Sequence, residues 1–219
     1  VPKQTIVHTY LASGSLMAAY LDKHDVPYVI DRDYNLDMAQ RAKAQRLLSV
    51  LQISALENIP MSHTKQGDMK QRDVKKVRNA LKNLRSISLK GIGPKNILIT
   101  CRKDKWKDQN DQPKGAFAYE SKLTKANWIA KTTKGTNKYR HCTHAVYLSE
   151  LNLSPNINAY LGVDKQFEKD WAVSELIQWL YRTALRDDGK VELHLASSHM
   201  KCLLEDWLYE HDRMIETVV

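Results

Sequence analysis

The chain has 219 residues with 42% hydrophobic content, and its 34 lysines and arginines outnumber 25 acidic residues to give a formal charge of +9. This length allows one domain with a sizeable core that needs neither disulfides nor a structural metal. No apolar run reaches the roughly 18 residues of a membrane-spanning helix, and the amino terminus lacks the apolar core of a signal peptide. We therefore expect a cytoplasmic protein with no membrane partner, and the charge favours an anionic partner such as nucleic acid. The start at Val1, without Met, indicates a processed or excised fragment.

Two strand and helix units are predicted near the amino terminus. Thr5–Ala12 has the β-forming composition of a strand, Ser13–Ser15 interrupts it, and a helix follows from Leu16. Val26–Ile30 is a second apolar run that predicts a strand, and Leu36–Gln52 has apolar residues at helical spacing. Because alternating strands and helices need crossover connections, these units predict a parallel sheet covered by helices.

The segment from Met61 to Pro113 is predominantly basic. Between Lys65 and Lys90 it contains nine lysines and arginines against two aspartates. Four apolar residues within it recur at intervals of three or four and predict an amphipathic helix: Val74, Val77, Leu81 and Leu84. Its outer face would carry Lys75, Lys76, Arg78 and Lys82. Such a face can simply be solvated, but the strong bias of sign favours a surface that contacts phosphates.

The remaining elements follow in short succession. Predicted strands occupy Asn96–Cys101, Ala126–Ala130, Ala145–Leu148 and Val191–Leu195. Predicted helices occupy Pro155–Leu161, Asp170–Asp187 and a closing segment through Trp207 that Ser197 and Ser198 can cap. Arg102–Lys114 is rich in charged and turn-forming residues, so we expect a mobile loop there.

Cysteine and histidine usage offers little support for a metal. Cys101, Cys142 and Cys202 are an odd number at wide spacing, which indicates free thiols in a reducing compartment. His141 and His144 flank Cys142 closely and could supply ligands to zinc, but the paired spacing of zinc modules is missing. We therefore predict a strand entry with two surface histidines and no metal.

Three polar residues of the predicted helix Asp170–Asp187 are spaced four apart. Gln178, Arg182 and Arg186 would therefore line one helical face. Arginine suits a polyphosphate ligand, because its planar fork pairs with phosphate oxygens and stabilises charge in phosphoryl transfer. The alternative is that both arginines pair with carboxylates on a neighbouring element.

From Ala126 to Arg186 the predicted order is strand, Thr/Gly-rich turn, strand, Pro turn and arginine-bearing helix. This order resembles the carboxy-terminal RecA-like lobe of superfamily 2 helicases, particularly divergent phage or mobile-element members. The resemblance implies that the helix acts on ATP through Gln178, Arg182 and Arg186 as catalytic residues. It implies nucleotide contacts from Gly135, Thr136 and Asn137. It implies nucleic-acid contacts from Ser13, Gly14, Ser15, Lys131, Thr132 and Thr133.

The resemblance also implies an incomplete ATP site. The sequence has no Gly-rich loop with Lys and Ser/Thr at P-loop spacing and no acidic pair at a strand end for Mg²⁺. ATP with Mg²⁺ would then be shared with an N-terminal RecA-like lobe of the same longer protein, and this chain would be inactive alone. Nucleic acid would be the other partner, with DNA favoured over RNA, in a bacterial or phage-infected cell. The expected fold is one α/β domain over residues 1–219, a RecA-like, mostly parallel sheet flanked by helices, with residues 61–113 as a basic, partly helical insertion.

A second hypothesis is a non-enzymatic module that binds nucleic acid through the basic segment. Trp106, Trp128 and Tyr139 would be available to stack on bases. Nucleotide-dependent docking onto another lobe would distinguish a motor lobe from such a module. A metal-dependent nuclease built on His141, Cys142 and His144 is the least favoured class.

Overall fold

A sheet of five parallel strands forms the centre of the computed structural model, which describes residues 14–31, 34–133 and 135–216. The strands are β1 (Leu48–Gln52), β2 (Ile97–Thr100), β3 (Asn127–Trp128), β4 (His144–Tyr147) and β5 (Val191–Leu195). Their order across the sheet is β1-β5-β4-β2-β3, and every neighbouring pair is parallel. The predicted α/β class with a parallel sheet flanked by helices is confirmed.

The helices lie on both faces of this sheet. They are α1 (Leu16–Lys23), α2 (Tyr34–Leu47), α3 (His63–Gly67), α4 (Gln71–Ser86), α5 (Lys103–Trp106), α6 (Pro155–Leu161), α7 (Lys165–Leu180) and α8 (Ser198–Glu216). Residues of α4 pack with Ile97 and Ile99 on one face, whereas residues of α7 and α8 pack with Leu98 on the other. Successive residues of β2 therefore enter two separate cores, as expected for a parallel strand buried on both sides. None of the described helices is long and apolar enough to cross a membrane.

Several predicted elements are confirmed close to their expected bounds. These are the strands β2, β3, β4 and β5 and the helices α4, α6 and α8. Ser197 caps α8 as expected, because its Oγ accepts a hydrogen bond from the backbone nitrogen of Met200 at 3.3 Å. Pro155 is the first residue of α6, where its missing N–H costs no helical hydrogen bond.

Two predictions at the amino-terminal side are wrong. Val26–Ile30 is not a strand, and Val29 is 91% exposed. The predicted helix Leu36–Gln52 ends at Leu47, and its last five residues form β1. Pairing with β5 overrides the helical spacing there, and the ladder continues beyond β1 because Ile53 donates to the carbonyl of Leu195 at 2.8 Å. The predicted strand Thr5–Ala12 lies outside the described residues.

The basic segment 61–113 belongs to the same sheet and core. It supplies β2, which lies between β4 and β3, and α4, which covers one face. The predicted mobile loop Arg102–Lys114 contains the short helix α5, and Trp106 at its end is 1% exposed. Burying this indole secures the loop against the core, which composition alone did not predict.

Burial of histidines predicts that acid destabilises the fold. Burial lowers the pKa of His194 and of His144, and the carboxylate of Glu192 acts in the opposite direction on both. The unfolded chain then binds protons more readily than the folded one, so stability should fall as the pH drops below about 6.5. We expect a lower melting temperature at pH 5.5 than at pH 7.5, and a smaller difference in a His194→Gln variant. An unchanged or higher melting temperature at pH 5.5 would contradict this.

Candidate nucleic-acid interface

Helix α4 separates apolar and basic side chains on opposite faces. The four predicted apolar residues are all buried against the sheet: Val74, Val77, Leu81 and Leu84. The opposite face exposes Arg72, Lys75, Lys76 and Lys82. Asp73, the single acidic residue of α4, lies in its first turn, where a carboxylate complements the helix dipole. The amphipathic basic helix predicted from spacing is therefore confirmed.

The cations of α4 differ in what they contact. Arg78 is anchored, with its guanidinium 5.5 Å from the ring centroid of Tyr119 and 3.9 Å from a carboxylate oxygen of Glu120. Asp73 lies 3.3 Å from Lys76 and 3.6 Å from Arg72.

Lys75 and Lys82 are exposed and form no ion pair with the described residues. These two lysines are seven residues apart, so they share a helical face at a separation of about 10 Å along the axis. The arrangement provides solvated charges that can contact successive anionic groups.

A buried glutamine connects three backbone segments at the carboxyl ends of the strands. The side-chain amide of Gln66 donates to the carbonyls of Met61 and Leu148 at 2.9 and 2.6 Å, and its oxygen accepts from the nitrogen of Arg102 at 3.0 Å. Gln66 is 1% exposed. Its role was not predicted from the sequence, where a single glutamine in a polar stretch carries no distinguishing signal.

The strand order places a crevice between the carboxyl ends of β2 and β4. The connection after β2 leads to β3 on one side, and the connection after β4 leads to β5 on the other. Open parallel sheets bind ligands at such switch points. Arg102 is the second residue after β2, and its Nη1 donates to the carbonyl of His63 at 3.1 Å. Burial lowers the pKa of His63, and the nearby charges of Arg102 and Lys131 lower it further.

The crevice and α4 are adjacent through α3. Lys105 donates from its Nζ to the carbonyl of Gly67, the last residue of α3, at 3.2 Å. Only Asp68 to Lys70 separate α3 from α4. The cations of the crevice and those of the basic helix therefore lie along one side of the domain.

The predicted ladder of Gln178, Arg182 and Arg186 does not form. Helix α7 ends at Leu180, whose carbonyl accepts a hydrogen bond from the hydroxyl of Thr183 at 2.6 Å. Gln178 remains on the helix and donates to the hydroxyl of Ser174, whereas Arg182 lies beyond the helix end and is 5% exposed. Arg186 belongs to a short 3-10 turn, Ala184–Asp187. The predicted helix Asp170–Asp187 is wrong at its carboxyl end. Thr183 donates to the carbonyl of Leu180 and the backbone of Ala184 donates to the carbonyl of Cys142, and these bonds end the helix earlier.

Arg186 does contact the predicted Thr/Gly-rich turn. Its Nη1 donates to the Oδ1 of Asn137 at 2.6 Å. Nearby, Arg140 makes two bonds to the carboxylate of Asp187, at 2.5 and 2.6 Å. The backbone of Ala184 bonds to the carbonyl of Cys142, which precedes β4, so this group lies at the amino edge of the sheet. It is therefore at the opposite edge from the switch-point crevice.

The remaining residues of that turn lie in the connection between β3 and β4. Gly135 has φ of +66°, a conformation that favours glycine, and it is exposed. Thr136 accepts a hydrogen bond from the backbone of Lys138 at 3.3 Å. Thr132 is exposed, whereas Lys131 and Thr133 are half-buried. Their predicted contacts with nucleotide or nucleic acid stay predictions.

Two residues of the predicted Ser13–Ser15 contact have structural roles. A Cβ on Gly14 would lie 2.5 Å from backbone atoms of Asp170 and Trp171, so this position packs directly on α7. Ser15 caps α1 by accepting a hydrogen bond from Ala18 at 3.4 Å. Ser13 lies outside the described residues. Gly14 is buried, which leaves its backbone little access to a nucleic acid.

The predicted stacking aromatics are not free rings on the surface. Trp106 is buried, so its predicted stacking on bases is wrong. Trp128 is half-buried beneath Lys107, whose Nζ lies 5.0 Å from the ring centroid. Tyr139 is half-buried and packs against the core that contains α7. Affinity for nucleic acid would therefore have to come from the cations rather than from base stacking.

The His141 to His144 segment has internal contacts of its own. The Nε2 of His141 lies 2.9 Å from the carbonyl of Lys95, and burial raises the pKa of the Cys142 thiol to about 11. In the described part of the chain, no three His, Cys, Asp or Glu side chains are grouped so that they could hold a metal ion.

Comparison with known proteins shows that the chain is similar to a domain family and to a prophage-derived protein. A family model described as the YonV C-terminal Rossmann-like domain matches residues 34–208. The SPbeta prophage-derived uncharacterized protein YonV of Bacillus subtilis (strain 168) is 34% identical over 98 residues, which are 42% of this chain and 24% of that protein. The alignment thus spans about a quarter of that relative. No solved structure matches. The family model agrees with a Rossmann-like domain, and neither description names a helicase.

Proposed function

We propose that this chain, which belongs to the YonV C-terminal Rossmann-like domain family, is a nucleic-acid-binding domain that holds the phosphate backbone against α4. The observation that carries the proposal is the outer face of α4, where Lys75 and Lys82 are exposed and unpaired among the described residues. Six cations and one carboxylate in a 16-residue helix create a local positive potential well above that of a balanced surface.

The chemistry of this face suits backbone contacts rather than reading of bases. Lysine ammonium groups interact with phosphates as point charges and release condensed counterions on binding. The helix is about 24 Å long, so its exposed cations can contact several phosphates of one duplex. Arg102, whose Nη1 donates to the carbonyl of His63, lies on the same side of the domain and extends the positive surface toward the switch-point crevice.

A binding assay over a range of salt concentrations tests the proposal. We expect a labelled DNA duplex to bind with an affinity that falls about 10²-fold between about 50 and 200 mM salt, the dependence for roughly four phosphate contacts. Fluorescence anisotropy with two unrelated duplex sequences measures this, and similar values for both indicate backbone contacts. An RNA duplex of the same sequence tests the expected preference for DNA. A dissociation constant independent of salt would contradict the proposal.

A finer hypothesis, that the chain is the second motor lobe of a helicase, receives less support from the geometry. The Arg182 side chain is buried, and the Arg186 guanidinium donates a hydrogen bond to Asn137 at the amino edge of the sheet. Neither guanidinium is presented as a free group toward a nucleotide on another lobe, as arginine fingers require. Repeating the duplex assay with ATP and Mg²⁺ on this chain joined to its N-terminal lobe separates the hypotheses. A binding module keeps its affinity, and a motor lobe joined to its N-terminal lobe changes it.

A further inference from the structure

Four buried polar atoms on one face of the sheet have no hydrogen-bond partner among the described residues. They are Thr100 Oγ1, Tyr147 Oη, Trp179 Nε1 and Arg182 Nη1. Native proteins rarely leave such atoms unpaired, because losing water without gaining a partner is costly. Four of them in one place therefore call for an explanation beyond packing.

These four residues are neighbours. Thr100 and Tyr147 are partners across the β2 and β4 pair, and both extend from the strand ends into the core that contains α7. The Tyr147 ring lies edge-on to Trp179, with 5.1 Å between their centroids. Arg182 donates from its backbone nitrogen to the carbonyl of Trp179 at 3.2 Å. Tyr147 thus neighbours both Thr100 and Trp179, and the charge of Arg182 acts on its hydroxyl.

The charge of Glu175 acts on Tyr147 and Arg182 of this group and also on Lys131. The half-buried Lys131 follows β3 at the carboxyl edge, and Glu175 projects from α7. Burial lowers the pKa of Lys131 and of Arg182, and the charge of Glu175 acts in the opposite direction on both. Among the described residues, Glu175 thus acts on both cations, and a further negative charge would favour their charged forms.

The hydrogen-bond donors of these side chains indicate which kind of ligand could accept from them. Arginine, lysine and the indole N–H can only donate, and the two hydroxyls can donate as well. We propose that this cluster, defined by Thr100, Lys131, Tyr147, Trp179 and Arg182, binds a small oxyanion such as a phosphate or carboxylate group. Water would satisfy the hydroxyls but would not balance the second cation.

The unpaired atoms of this oxyanion site lie on the face of the sheet opposite to α4, whereas Lys131 also acts on His63 beside the crevice. The cluster lies in the core between the sheet and α7, whereas α4 covers the other face. The half-buried Lys131 is the member of the cluster that reaches toward solvent, so it is the expected entrance. Because Lys131 acts on both sites, the variant that separates the two proposals is the one on α4, Lys75→Glu with Lys82→Glu.

Titration of the full chain with sodium phosphate tests the site. At constant ionic strength, phosphate should raise the melting temperature relative to chloride and give saturable binding by calorimetry. Sodium acetate in parallel distinguishes a carboxylate preference, and stabilisation by either anion supports the site. Lys131→Met and Tyr147→Phe should each weaken binding at least about fivefold, since each removes one donor.

The controls separate this site from surface charge. Lys165→Met removes an exposed lysine of α7 and should leave phosphate binding unchanged. The double variant Lys75→Glu and Lys82→Glu should also keep it, even if nucleic-acid binding is lost. Equal melting temperatures of the wild-type protein in phosphate, acetate and chloride would overturn the proposal. So would binding by Lys131→Met and Tyr147→Phe as tight as that of the wild type.

Discussion

Replacing Gln66 with leucine is expected to destabilise the domain by about 4 kcal/mol, because three buried backbone groups lose their partner at a cost of about 1 to 2 kcal/mol each. The groups are the carbonyls of Met61 and Leu148 and the nitrogen of Arg102. Leucine occupies a similar volume, so the loss reports on hydrogen bonds rather than on a cavity. Urea unfolding followed by circular dichroism measures the difference in free energy of unfolding.

A matched control is available in Gln71, the exposed first residue of α4. Gln71→Leu should change the free energy of unfolding by less than about 0.5 kcal/mol, the usual range for an exposed position. If Gln66→Leu lost no more than this control, the role assigned to the buried amide would be wrong. The contrast depends on burial alone, since the two substitutions are chemically identical.

Reversing two charges of α4 is expected to weaken duplex binding by on the order of 100-fold near 0.1 M salt. The double variant Lys75→Glu and Lys82→Glu removes two cations and places two carboxylates where phosphates would lie. The slope of log affinity against log salt should decrease by about 2. Both residues are exposed and make no ion pair in the described structure, so the fold should remain intact.

The control for this prediction reverses two lysines elsewhere. Lys165 and Lys169 are exposed on α7, which packs on the face of the sheet opposite to α4. Lys165→Glu with Lys169→Glu changes the net charge by the same amount, so it reproduces any long-range effect of charge. If both double variants weakened binding equally, net charge would explain the affinity and α4 would not be the interface.

The elements that were predicted correctly are those with a strong local pattern. Val74, Val77, Leu81 and Leu84 recur at helical spacing, and all four are buried in α4. The short apolar run at Ile97–Thr100 forms a strand buried on both faces. In both cases the spacing of apolar residues that predicts the element is also the spacing that buries them in the core, so sequence and structure agree.

The predictions that failed depended on contacts between distant parts of the chain. Spacing of four continues from Gln178 to Arg186, but the helix stops at Leu180 because Thr183 and the carbonyl of Cys142 offer other hydrogen bonds. In the same way, the apolar residues of Leu48–Gln52 fit a helix until a parallel partner is present. Spacing predicts which residues can share a face. It does not predict which distant backbone groups compete for their hydrogen bonds.

The sequence by itself determined the charge, the parallel α/β class and the basic helix, because each follows from residues close together in the chain. The tertiary structure decided which polar groups meet. The bond from Gln66 to Leu148 joins residues 82 positions apart, and the register of β2 with β4 sets Thr100 beside Tyr147. A buried polar group is stable only where its partners converge, and that convergence is a property of strand order rather than of local sequence.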